Sequence, residues 1–370
     1  MAAEDPPQNE DASVGATTSV GRGERLPLVV ESDFYAFARR DGTDAVVVVL
    51  NLSESAATRM IDVAGLGLSG TLLVKRDDLA GPAMGGNKAR KLQYVIADAL
   101  RHGADCLITV GAVQSNHARI TAAAGAMAGL QVHLVLDGDA HDMRGGNLVL
   151  DALSGAQTHF VPRQSWDARQ TAAETLAGEL RGQGRRPYLI PVGASTPLGA
   201  VGYAEAYLEI TGQLRAAGTS ATWLVNASGS GGTQGGLLAG RALAGDGPRV
   251  IGIDIDKSPD EDLGGTVAKL AADCLSLIGS AATVPAGDVV LVDGAGPGYG
   301  QVFPGSREAV RAALRTAGLL LDPVYTSKAF AALRELVAAG TIPSTDTVIF
   351  LHTGGLPALF APAYEAALIE

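Results

Sequence analysis

From Thr71 to His352 the chain alternates short aliphatic runs with amphipathic stretches of helical spacing, and this alternation narrows the possible folds more than any other feature. Strands are predicted at Thr71–Val74, Cys106–Val110, Val132–Leu136, Tyr188–Val192, Trp223–Asn226, Val250–Ile255, Val289–Val292 and Thr347–His352. Between them, helices are predicted over Lys88–His102, about Ser115–Ala128, 166–182, Ala200–Ala217, Thr233–Ala244, about 261–279, 306–317 and 326–339. Strands that alternate with helices build βαβ units around mostly parallel sheets, so the fold class is α/β. Such sheets bind ligands beyond the carboxyl ends of their strands. Ahead of this region, Ala45–Leu52 (AVVVVLNL) has strand character, and residues 1–25 read as a disordered tail.

Composition removes several function classes. The chain carries 28 basic against 39 acidic residues, a net charge of −11, with no dense Lys/Arg run. Nucleic acid and anionic membrane are therefore poor partners, and any anionic ligand must be held by local geometry. Cys106 and Cys274 lie in apolar runs and read as buried thiols rather than a disulfide framework. No Cys or His spacing suggests a metal site. Residues 1–24 lack the apolar centre of a signal peptide, and no apolar run is long enough for a membrane span, which points by elimination to the cytoplasm.

Several polar clusters sit just after predicted strands. Gly85-Gly86-Asn87-Lys88 places a lysine at the opening of a helix. The positive helix end favours a neutral amine there, which is what condensation with an aldehyde requires. Alone, the motif reads more readily as a turn before an amphipathic helix with surface lysines. Gly229-Ser230-Gly231-Gly232-Thr233 follows a strand and opens a helix, so its N–H groups can converge on an anion. No lysine follows this loop and no dinucleotide fingerprint is present, so a single phosphate held without lysine fits better than a nucleotide, with a tight strand–helix turn as the alternative. Gln114-Ser115-Asn116 could cap the next helix or donate to a carboxylate or phenolate. Tyr299 stands between two glycines, and Thr353 ends the last strand ahead of a Gly pair.

Together the segments KRDDL, GGNKARKL, GAVQSNHAR, PVGASTPLGAVGY, GSGGTQGG, DPVYTSK and HTGGLPAL resemble, in order, the pyridoxal phosphate (PLP)-dependent family of aminocyclopropane-carboxylate (ACC) deaminase and D-cysteine desulfhydrase. The resemblance runs from about Lys75 to the C-terminus. It implies two three-layer αβα domains with mostly parallel sheets and PLP in the cleft between them. Residues 91–200 would form a small domain inserted in a large one (26–90 and 201–370), in a homodimer. It further implies that Lys88 carries the cofactor and that Gly229, Ser230, Gly231, Gly232 and Thr233 cradle its phosphate. Asn116 would face the phenolic oxygen, and Thr326 and Thr353 the pyridine nitrogen. Ser115, Tyr299 and Tyr325 would be catalytic, with Gln114, Ser115, Asn116 and Tyr299 around a small amino-acid substrate. Residues 26–70 depart from the family pattern and look more like a β-hairpin.

The deaminases of this family have Glu after the Tyr of DPVY and Leu before the last Gly pair, where this chain has Thr326 and Thr353. Two hydroxyls give a milder electron sink, suited to β-elimination of a good leaving group. The expected reaction is D-cysteine to pyruvate, ammonia and hydrogen sulfide. The alternatives are ACC deamination, elimination from L-cysteate with Arg119 as the sulfonate contact, and a PLP-binding protein with little activity.

Overall fold

The computed structural model describes residues 70–138, 145–162, 166–257 and 262–369, the side chains of 166 and 167 excepted, together with the backbone of four strands before them. Those strands are β1 (Glu24–Glu31), β2 (Phe34–Asp41), β3 (Asp44–Asn51) and β4 (Thr58–Ile61). The first three form an antiparallel meander, one strand more than the hairpin expected from sequence. The tail expected over 1–25 falls outside the described residues as far as residue 23, and its last two residues already belong to β1.

The βα alternation then runs as β5 (Leu72–Arg76), α1 (Asn87–Arg101), β6 (Cys106–Ala112), α2 (Asn116–Met127), β7 (Gln131–Asp137), α3 (Asn147–Leu153), β8 (Gln157–Val161), α4 (Trp166–Gly182) and β9 (Pro187–Ile190). It continues with α5 (Pro197–Ala216), β10 (Trp223–Ser228), α6 (Gly232–Ala244), β11 (Arg249–Asp254), α7 (Leu263–Leu277), β12 (Val290–Asp293), α8 (Pro304–Ala317), α9 (Thr326–Ala338), β13 (Val348–His352) and α10 (Pro362–Ile369). Two sheets result. One has six strands in the order β12-β11-β10-β13-β5-β4, parallel except for β4 against β5. The other has four parallel strands in the order β8-β7-β6-β9.

Strand alternation explains the layering. In β5, Leu72 and Val74 enter one apolar cluster with α8 and α9, while Leu73 enters another with α5, α6 and α7. Successive side chains of a strand point to opposite faces, so this sheet is covered on both sides. The four-stranded sheet is covered likewise, by α1 and α2 on one face and α4 on the other.

Local chemistry fixes the ends of the helices that matter. Thr196 caps α5 by accepting from the Gly199 N–H at 2.9 Å, with Pro197 in the first turn. A Cβ on Gly236 or Gly240 of α6 would lie 2.3 Å from the Ala200 carbonyl or 2.5 Å from that of Ala204, so α6 meets α5 backbone to backbone. A partly buried ionic network ties α1 to the larger sheet. Arg90 grips Asp77 with two N–H groups at 2.9 Å and donates to Glu209 at 2.8 Å. Tyr203 donates to Asp77 at 2.7 Å, and Lys75 completes the network through Glu209.

Candidate active site

The carboxyl ends of β10, β11 and β13 face that of β6, and between them lies a cavity of about 160 Å³. Lys88, Ser115, Asn116, Gly229, Ser230, Gly231, Gly232, Thr233, Tyr299, Tyr325 and Thr353 all line it, so segments up to 265 residues apart in sequence (88 to 353) converge as expected. Two candidates stand back from it. Gln114 turns toward the start of α3, donating to the Gly145 carbonyl at 3.1 Å and accepting from the Asn147 N–H at 2.8 Å. Thr326 is fully buried; its hydroxyl donates to Asp322 and accepts from the Asp322 N–H, both at 2.7 Å.

Lys88 lies in the first turn of α1. Its ammonium donates to Asn87 Oδ1 at 3.1 Å and stands 5.9 Å from the centre of the Tyr325 ring. Its pKa falls to about 8, chiefly because burial penalises the charge; Asp322 opposes the fall and Arg119 adds to it. The low value was expected from the helix end, but burial is the leading cause. Asn87 Nδ2 in turn donates to Thr233 Oγ1 at 3.0 Å, joining the start of α1 to the start of α6.

The glycine loop forms a concave cradle. Gly231 takes a left-handed conformation (φ 76°) at the helix start. A Cβ on Gly232 would lie 2.6 Å from Ser195 Oγ and 2.8 Å from Lys91 Nζ. Ser195 and Ser230 share a hydrogen bond at 2.7 Å across this mouth. No lysine follows this loop in sequence, but Lys91, one turn along α1 from Lys88, brings its ammonium there from a distant segment. Lys91 is buried and donates to the Gly193 carbonyl at 3.2 Å and Ser195 Oγ at 3.3 Å. Burial, and then Lys88, push its pKa well down. A buried amine aimed at a ring of helix-start N–H groups fits a phosphate, whose charge would hold it protonated.

Another part of the cavity lining is built from side chains. The Tyr299 and Tyr325 hydroxyls are 2.7 Å apart, with the rings edge to face. Burial pushes Tyr299 up to about 12 and Tyr325 higher still, so both are neutral donors at pH 7. Asp256 is the only acidic side chain among the described lining residues, and burial raises its pKa. Ser115 is both cap and lining: its oxygen accepts from the Ala118 N–H at 3.1 Å. Asn147, missed in the sequence, donates to Asn116 Oδ1 at 3.0 Å and so commits the other end of that amide to donation. His117, next to Asn116 in the same polar cluster and given no role from the sequence, lines the cavity as a neutral ring, its Nε2 2.8 Å from Thr109 Oγ1. Arg119 is buried and donates to the carbonyls of Ala83 and Gly85, shaping the loop that precedes Lys88 rather than facing the cavity.

Comparison with known proteins agrees with this geometry. The family described as pyridoxal-phosphate dependent enzyme matches residues 54–354. A protein of Pyrococcus abyssi, provisionally named 1-aminocyclopropane-1-carboxylate deaminase, is 40% identical over 288 residues, 78% of this chain and 85% of its own. A D-cysteine desulfhydrase of Klebsiella pneumoniae is 40% identical over 298 residues, 78% of this chain and 88% of its own. The crystal structure of an ACC deaminase homologue superposes with a TM-score of 0.78 at 34% identity, covering 85% of this chain and 93% of the other. Among the described residues, no helix is long and apolar enough to cross a membrane. The chain belongs to the PLP-dependent enzymes, in the family of ACC deaminases and D-cysteine desulfhydrases.

Proposed function

We propose that this enzyme converts D-cysteine and water to pyruvate, ammonia and hydrogen sulfide. One observation carries the choice: Thr353 lines the cavity and Thr326 stands after the Tyr of DPVY, at the two positions where the family resemblance gives deaminases Leu and Glu. Thr326 is spent on Asp322, so the preference runs through Thr353. PLP, when bound, supplies an aldehyde for the substrate amine and a sink for the Cα electrons.

The residues then divide the work. Lys91, Ser230 and the N–H groups of the Gly229–Thr233 loop would hold its phosphate, and Asn116 would donate to its phenolic oxygen. Ser115 and the leading N–H groups of α2 bind the substrate carboxylate, placing the Cα proton beside Lys88. With a pKa of about 8, Lys88 can both accept that proton and return it near neutrality. The paired hydroxyls of Tyr299 and Tyr325 donate a proton as the C–S bond breaks and sulfide leaves. Water then converts the remaining enamine to pyruvate and ammonia. Residues 91–200 as a small domain inserted in 26–90 and 201–370, and a homodimer, belong to the same reading.

D-cysteine, L-cysteine, ACC and L-cysteate, each assayed for keto acid and sulfide, test it. Equal amounts of pyruvate and sulfide from D-cysteine are expected. Turnover of ACC with no sulfide from D-cysteine would refute it. The ACC reading keeps its place because a relative of that name is equally identical. L-cysteate loses its proposed contact, since Arg119 is committed to two carbonyls.

A further inference from the structure

Lys328 is a second buried lysine of the larger sheet, and the reaction above does not use it. It sits in the first turn of α9 with no exposed surface. Its ammonium donates to the carbonyls of Ile255 at 3.2 Å, Ala295 at 2.8 Å and Gly298 at 2.6 Å. Three donors thus meet three acceptors, so the group is satisfied without direct contact to a carboxylate. Cages of backbone carbonyls at such distances recur where proteins bind univalent cations in place of their hydration shell. Two of the three distances, 2.8 and 3.2 Å, exceed the about 2.3–2.6 Å of calcium, and all three exceed the about 2.1 Å of magnesium.

The two closest carbonyls belong to the segment Gly294-Ala295-Gly296-Pro297-Gly298-Tyr299-Gly300. Gly296, Gly298 and Gly300 all have positive φ (62°, 131° and 71°), so ordering this segment costs much conformational entropy. Its internal backbone bonds, Gly298 N–H to Ala295 and Gln301 N–H to Gly298, are both long at 3.3 Å. Helix α9 therefore holds Tyr299 at two points: Lys328 takes the carbonyl just before it, and Tyr325, at the N-cap of the same helix, takes its hydroxyl.

We infer that Lys328 is a tethered univalent cation: its ammonium fills a carbonyl cage that would otherwise require potassium or ammonium from solution, and so positions the loop carrying Tyr299. Burial pulls its pKa down to about 8 despite the nearby Asp256, Asp322 and Asp254, which are the charges that would also favour an ion from solution.

The test compares wild type with Lys328→Met in potassium, ammonium and tetramethylammonium chloride at equal concentration. Two readouts are taken: the thermal midpoint, which is independent of substrate, and turnover of whichever amino acid proves active. Wild type should be indifferent to the salt in both. Lys328→Met in tetramethylammonium chloride should lose roughly ten- to a hundredfold in turnover, as expected for a misplaced proton donor. Potassium or ammonium should restore most of that loss and raise the midpoint above its tetramethylammonium value. A wild type activated by potassium would overturn the inference, as would a variant that is unimpaired or equally impaired in all three salts. If Lys328→Met does not fold, Lys328→Gln takes its place, and failure of both to fold in every salt also overturns it.

Discussion

Two parts of the cavity lining, which meet where the Tyr325 ring approaches Gly229, are built from different materials. The Gly229–Thr233 part is mostly backbone, with helix-start N–H groups and a left-handed glycine, joined by the side chains of Ser230 and of Lys91 from α1. The Tyr299–Tyr325 part is side chain: two hydroxyls holding each other across segments 26 residues apart, with Asp256 beside them. A backbone cradle recognises only charge and shape, so it suits the part of the ligand that never changes. Side chains can be exchanged one at a time, so the other part is where relatives with different names can diverge.

Three experiments would break or sharpen that contrast. Tyr299→Phe should lower kcat about a hundredfold, the usual worth of a positioned proton donor, and leave PLP affinity unchanged. An equal loss of PLP affinity would mean the two parts are not separate. Gly232→Ala should do the reverse. Its methyl group would meet Ser195 and Lys91 inside 3 Å, and losing one or two bonds to a charged phosphate should weaken PLP binding about thirtyfold. Equilibrium dialysis against PLP reads this directly, and an unchanged dissociation constant would remove the phosphate from the cradle. The smallest effect concerns Lys88 itself. With a pKa of about 8, roughly a tenth of the amine is neutral at pH 7 and half at pH 8. Cofactor-free protein should therefore capture PLP about fivefold faster at pH 8 than at pH 7, followed by stopped-flow absorbance. A flat or falling profile would show that the amine is not the titrating group.

The sequence disclosed the parts of this molecule whose signals are local. Continuous apolar runs such as that at Trp223–Asn226 mark strands covered on both faces, and every predicted strand from Thr71 onward is present within two residues. What it hid are elements and partners with weak or distant signals. The strand β8 (QTHFV) is an edge strand with no fully buried residue, and α3 has two turns, so neither shows a period. Asn147 and Lys328 owe their roles to groups about 30 to 75 residues away, which only the folded chain brings near. Lys91 was within reach, since a lysine three positions after Lys88 shares its helix face. Thr326 shows the opposite failure: its motif suggested a ligand-facing hydroxyl, and a neighbouring carboxylate took it.

The glycine contact between α5 and α6 has a consequence for how this pocket can change. With Gly236 and Gly240 against the carbonyls of Ala200 and Ala204, the helix behind the cradle has no room to retreat. The anion-holding part thus serves as the zero mark of a ruler. A bulkier substrate gains nothing by pushing inward; its added length must project toward Tyr299 and Asp256, where selection for new reactions would act first.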